Sequence, residues 1–144
     1  MEKVIRIYTD GASRGNPGPG AIAYIIMDES GNVLRQSAKF IGACTNNIAE
    51  YSALILALEE AMKLGSDAFC FSDSELMVSQ LRGKYKVKKG HIKELFERVK
   101  TIEKNFSKIE YNSVRRTDAM IRKADGMVNS VLDDVEKLQA IRRK

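Results

Sequence analysis

Cysteine, proline and histidine are all scarce in this 144-residue chain. The two cysteines, Cys44 and Cys70, form no CxxC pattern. They read as free thiols, Cys70 in a strand core, and so as a sign of a reducing compartment rather than a disulfide scaffold. No apolar run approaches the ~20 residues needed to span a membrane. The N-terminus enters a strand at once, with no signal peptide. A soluble, cytoplasmic protein without a membrane partner is expected. There is no internal repeat, low-complexity segment or interdomain linker, and no cofactor-binding motif. The absence of such a motif argues against an enzyme of small-molecule metabolism.

What remains is ordinary globular composition, 44% hydrophobic and 30% charged. The length predicts one domain, residues 1–140, large enough for a real core, followed by a basic, frayed tail at 141–144. The formal charge is +5 and unevenly spread: Arg82 to Lys93 holds six cations and no acid. Such a run is commonly a solvated face, but it also suits an anionic partner.

The chain is organised around Ile5 to Gly20, IRIYTDGASRGNPGPG. Ile5, Ile7 and Tyr8 predict a strand ending at the carboxylate of Asp10. The glycines and prolines that follow predict a loop from Gly11 to Gly20. Taken alone, Asp10 would be a turn residue. On a rigid strand facing a glycine-rich loop, it could also hold a cation beside a bulky anion.

Further along, Ala21 to Met27 and Val33 to Ile41 predict two more strands around a turn at Asp28–Asn32, making an antiparallel meander. Thr45, Asn46 and Asn47 offer N-cap side chains to a helix with Ile48, Tyr51, Ile55, Leu58 and Met62 on one stripe, closed by Gly65. Ala68 to Ser72 is a fourth strand, ending at Asp73. Helices follow at Ser74–Leu81 and His91–Lys104, separated by the basic loop. Lys108 to Val114 is a fifth strand. After a polar stretch, Arg115 to Lys123, a last helix starts at Ala124. The fold class is α/β: a five-stranded mixed sheet, three antiparallel strands then two parallel ones, with helices on both faces.

Asp10, Glu50, Asp73 and Asp125 stand where surface acids would be odd choices. Asp10 and Asp73 end strands expected to be parallel neighbours, Glu50 borders a buried helix face, and Asp125 opens the last helix. Each has an ordinary structural explanation as a turn, cap or dipole partner. Together they would repel strongly unless a positive charge lay between them. Hard oxygen ligands without Cys or His suit Mg²⁺ or Mn²⁺. Two such ions ~3.5–4 Å apart serve in-line displacement at phosphorus, one activating the attacking water and one stabilising the leaving oxygen.

The blocks TDGASRGNPGPGA (Thr9 to Ala21), TNNIAEYSALILAL (Thr45 to Leu58), SDSELMVSQLRG (Ser72 to Gly83) and ADGMVNSVLD (Ala124 to Asp133) resemble the signature blocks of type 1 ribonuclease H, in that family's order. The likeness is to the compact archaeal and bacterial forms without the long basic protrusion. It implies the ribonuclease H-like fold and an endonuclease that hydrolyses the RNA strand of an RNA–DNA hybrid to 5′-phosphate and 3′-hydroxyl ends; a monomer is expected. Double-stranded RNA is a further candidate substrate. The resemblance puts two metal ions on Asp10, Glu50, Asp73 and Asp125. It aligns Gly11, Ala12, Ser13 and Asn16 with contacts to the RNA strand. Thr45, Asn46 and Gln80 align with contacts to the DNA strand or minor groove, and the loop 84–89, including Lys84 and Lys86, with phosphates.

Two departures stand out. Many members carry a histidine shortly before the last aspartate, whereas the only one here, His91, opens another helix. Asp118, the sole acid in the polar stretch, is the candidate auxiliary residue in its place. Glu75 stands where some relatives have a glutamine, and would face away from phosphate or tune release. Tyr85 either stacks on substrate or is buried in the core. The alternatives are a non-catalytic module binding hybrid or double-stranded RNA, a 3′–5′ exonuclease, or a strand-transfer enzyme of the same fold.

Overall fold

A computed structural model describes residues 3–88 and 90–143. Lys89 of the basic loop and Lys144 of the tail lie outside the described residues. The elements run β1 (Val4–Ser13), β2 (Gly18–Asp28), β3 (Val33–Cys44), α1 (Asn46–Ala61), β4 (Asp67–Ser72), α2 (Glu75–Leu81), α3 (His91–Glu103), β5 (Lys108–Ser113) and α4 (Ala119–Arg142). The sheet order is β3-β2-β1-β4-β5. β1, β2 and β3 are antiparallel, and β4 runs parallel to both β1 and β5, as the sequence predicts.

Strand alternation gives the sheet two apolar faces. Ile5, Ile7, Ile22, Tyr24 and Ile26 point toward α1, whose Tyr51, Leu54 and Leu58 complete the main core. Ala21, Ala23 and Ile25 point the other way, against Ala124, Val128 and Leu132 of α4. The small alanines let α4 lie close to the sheet. Each fully buried large side chain, Ile26 or Leu54 for example, contributes roughly 1.5–3 kcal/mol.

Of the boundaries that differ from the sequence reading, four have a clear physical reason. β1 does not end at Asp10: it pairs with β2 through Gly11↔Ile22, Ala12↔Ala21 and Ser13↔Gly20. Gly11 and Gly20 are needed for close approach rather than for a loop, since a Cβ on Gly11 would collide with the Ala49 carbonyl and one on Gly20 with Cys44 Sγ. α1 stops at Ala61 with Met62 as its C-cap, and Gly65 instead packs on Ile5 and the Lys3 carbonyl. α4 begins at Ala119, because the Asp118 carboxylate accepts hydrogen bonds from the amides of Met120 (3.0 Å) and Ile121 (3.1 Å). Asp125 therefore lies in its second turn. The helix also runs on through Ile141 and Arg142, where a basic last turn complements the helix dipole.

Candidate active site

Three elements deliver three carboxylates to one edge of the sheet. Asp10 sits within β1 opposite Ala23, on the face that Tyr8 and Ala12 present to α4. β1 and β4 stay in parallel register as far as Tyr8↔Phe71. Two residues further along each chain come Asp10 and Asp73. Ser74 caps α2, its hydroxyl accepting from Met77 N at 3.3 Å, so Asp73 is not the cap. Glu50 reaches over from α1 and accepts the Gly11 N–H at 2.7 Å.

Asp10, Glu50 and Asp73 can each offer an oxygen such that all three lie within 4.8 Å of one another. Asp125 is outside this trio and exposed. It borders the same open cavity of about 440 Å³, together with Asn46, Asn47, Ser74 and Arg116.

The crowding shows in the acidities. Burial, then the charges of Asp73 and Asp125, push the Asp10 carboxyl up to about 7. Burial, then Asp10 and Asp73, hold Glu50 well above the ordinary glutamate range. Burial raises Asp73 against the opposing pull of Arg116. Arg116 Nε stands 3.5 Å from Asp73 Oδ2, with its side chain otherwise in solvent. The sequence reading had no role for Arg116. Its position in a polar stretch without apolar period gave no signal of where the turn would place it.

These residues fit a divalent cation. Asp10 Oδ2 is buried and, among the described residues, has no hydrogen-bond partner, a costly condition for a carboxylate without a cation beside it. The donor set is all oxygen, without thiolate or imidazole, and so suits hard cations.

Around the site, Ser13 N donates to Asn46 Oδ1 at 2.9 Å, and Asn46 N donates to Asn16 Oδ1 at 3.1 Å. The β1–β2 turn and the start of α1 are thus tied together. Thr45 Oγ1 accepts from Ile48 N at 3.3 Å and caps α1. Gln80, Lys84 and Lys86 do not line the cavity. Gln80 accepts the Tyr51 hydroxyl at 2.5 Å, and Lys84 and Lys86 are exposed. Tyr85 is 62% exposed, which overturns the core-burial alternative. Asp118 caps α4 and does not border the cavity, so its carboxylate serves the helix, contrary to the auxiliary role expected for it. Glu75 is exposed in the first turn of α2, and His91 is exposed at the start of α3.

A mixed sheet in this order, with acids meeting at the ends of its central strands, defines a ribonuclease H-like domain. A family model described as reverse transcriptase-like matches residues 8–131. The crystal structure of RNase H1 from the halophilic archaeon Halobacterium salinarum superposes with a TM-score of 0.86 at 36% identity, covering 91% of this chain and 98% of that one. LC11-RNase H1, solved in complex with an RNA/DNA hybrid, gives a TM-score of 0.84 at 41% identity, covering 91% and 98%. The Mycobacterium tuberculosis bifunctional protein Rv2228c is 38% identical over 129 residues, 88% of this chain but 35% of that protein. The chain thus spans about a third of the mycobacterial relative, and 65% of the curated Halobacterium ribonuclease HI. This chain belongs to the ribonuclease H family, and its acidic trio, Asp10 buried and Glu50 and Asp73 half-buried, points to divalent metal use.

Proposed function

We propose that the protein is an endoribonuclease that hydrolyses the RNA strand of RNA–DNA hybrids. The single observation that carries this reading is the convergence of Asp10, Glu50 and Asp73, with Asp125 beside them, around a buried, unpartnered carboxylate oxygen. The solved hybrid complex of LC11-RNase H1, a relative of 41% identity, supports the choice of substrate.

In this reading Asp10, Glu50, Asp73 and Asp125 would together hold two Mg²⁺ or Mn²⁺ ions, which would supply activation of water and neutralisation of charge at the reacting phosphorus. The water oxygen bonds to phosphorus as it gives up a proton to solvent, and the bond from phosphorus to the 3′-oxygen breaks. That oxygen takes up a proton, leaving 5′-phosphate and 3′-hydroxyl ends. Gly11 fixes Glu50 through its backbone N–H, so the ligand is oriented before the cation arrives. Arg116 offers the substrate phosphate a mobile positive charge at the cavity rim. The edge formed by Gly11, Ala12, Ser13, Asn16, Thr45 and Asn46 faces the RNA ribose and the minor groove. Recognition of 2′-hydroxyls there would distinguish RNA from DNA. Thr45, Asn46 and Gln80 also serve the DNA strand, and the exposed Lys84 and Lys86 extend the contact along the backbone with salt-sensitive, sequence-independent affinity. The protein acts as a cytoplasmic monomer, a setting that the two free cysteines suit.

The test is incubation with end-labelled hybrid, duplex RNA and duplex DNA, with Mg²⁺, Mn²⁺ or EDTA. Internal cuts in the RNA strand of the hybrid, lost with EDTA and with Asp10→Asn, are expected. Cleavage unaffected by EDTA, or no cleavage by protein that still binds hybrid, defeats the reading. Cutting of an end-blocked hybrid excludes the exonuclease, and the duplex RNA lane decides the wider substrate range.

A further inference from the structure

Asp125 is the acid with the least support from the sheet. It is exposed on α4, and repulsion from Asp10 and Asp73 would turn its carboxylate toward solvent. Two residues outside the acidic cavity oppose this. Asn129, one helical turn further along α4, donates its Nδ2–H to Asp125 Oδ2 at 3.3 Å. Its other end, Oδ1, accepts from Arg14 Nη2 at 3.4 Å, and the Asn129 backbone carbonyl lies 3.5 Å from the same nitrogen. Arg14 Nη1 is itself held by Asp133 at 2.7 Å and Glu136 at 2.8 Å. Asp125, Asn129, Asp133 and Glu136 recur at four, four and three residues, so one face of α4 carries the whole set.

The two ends of the Asn129 amide are chemically distinct, and Arg14 decides which way it points. The opposite rotamer would set the amide N–H₂ against a guanidinium and the amide oxygen against a carboxylate. Both contacts would be repulsive. Arg14 directly follows β1, the strand that carries Asp10. The guanidinium therefore ties the element bearing one acid to the helix bearing another.

We propose that Arg14 and Asn129 are positioning residues for Asp125. Arg14 orients the Asn129 amide, and the amide holds the carboxylate in the aspect a cation requires. This rests on the metal-dependent reading of the cavity given above. Groups that orient a metal ligand through hydrogen bonds commonly alter affinity tenfold or more when removed.

The experiment is calorimetric titration of Mn²⁺ into nucleic-acid-free protein, with melting curves to confirm that each variant is folded. Asn129→Leu, which keeps the size and favours helix, should weaken Mn²⁺ binding by roughly tenfold. Arg14→Met should weaken it comparably. Because the two act in series, the double variant should be no weaker than the worse single one. Wild-type affinity in Asn129→Leu overturns the proposal, and so do effects that add. A wild-type protein that takes up no Mn²⁺ counts instead against the metal-dependent reading itself.

Discussion

The Gly11 amide and the Glu50 carboxylate meet at 2.7 Å, which bolts α1 onto β1 one residue past Asp10. The contact exists because position 11 has no side chain: a Cβ there would collide with the Ala49 carbonyl and press on the Glu50 amide. The obstruction is backbone and has no rotamer by which to move aside. Gly11→Ala should cost about 3 kcal/mol, the upper range for overpacking, and should abolish metal-dependent cleavage. Urea denaturation and the hybrid assay check both. A variant of wild-type stability would show that α1 can retreat.

The acid cluster predicts an unusual pH dependence. Folded Asp10 keeps its proton to about 7, while the ordinary carboxyl loses it near 3.8. Between those values the native state binds more protons than the unfolded chain. Metal-free stability should therefore fall as pH rises from about 4 to about 7. Glu50 and Asp73, also raised, act with the same sign. Added Mg²⁺ or Mn²⁺ should raise Tm, most of all above pH 7, because only the folded site binds it. Melts in EDTA across this range, repeated on Asp10→Asn, test the point. The variant should lose much of the slope and be the more stable protein at pH 8.

Asp118 should behave as a helix cap. Asp118→Ala should lower stability by about 1 kcal/mol, whereas Asp118→Asn, an equally good cap, should retain both stability and turnover. Loss of turnover in a stable Asp118→Asn protein would restore the auxiliary role in proton movement.

Gly126 lies in the interior of α4 with open space where a side chain would go. Nothing in its surroundings requires glycine, and its backbone freedom costs the helix. Gly126→Ala should stabilise the protein by about 0.5–1 kcal/mol, read as a higher denaturation midpoint. An unchanged or lower midpoint would mean that an unseen contact uses the gap.

The mixed sheet was readable because its elements carry strong local period, and the convergence of Asp10, Glu50 and Asp73 because they stand at or near the ends of those elements. The apolar run of β2 requires cover on both faces, and the Ile48–Met62 stripe could only be a helix. Glycine was misread at Gly11 and Gly65, where it signalled close approach between elements rather than a turn or cap. A single chain does not display the partner that comes close. The start of α4 was hidden because Arg115–Lys123 is polar; Asp118 before Met120 and Ile121 was the available cue. Arg14, Asn129 and Arg116 were not foreseen, since their contacts join residues up to 122 positions apart.

Asp10 and Asp125 belong to the layer between the sheet and α4, and Glu50 belongs to the layer on the far side, so the pocket straddles both cores. The fourth acid is carried by α4, downstream of the elements that bear the other three. On the proposed activity, a polypeptide whose sheet and α1 have already packed holds three of its four ligands and is still without a complete site. Only the docking of α4 arms it.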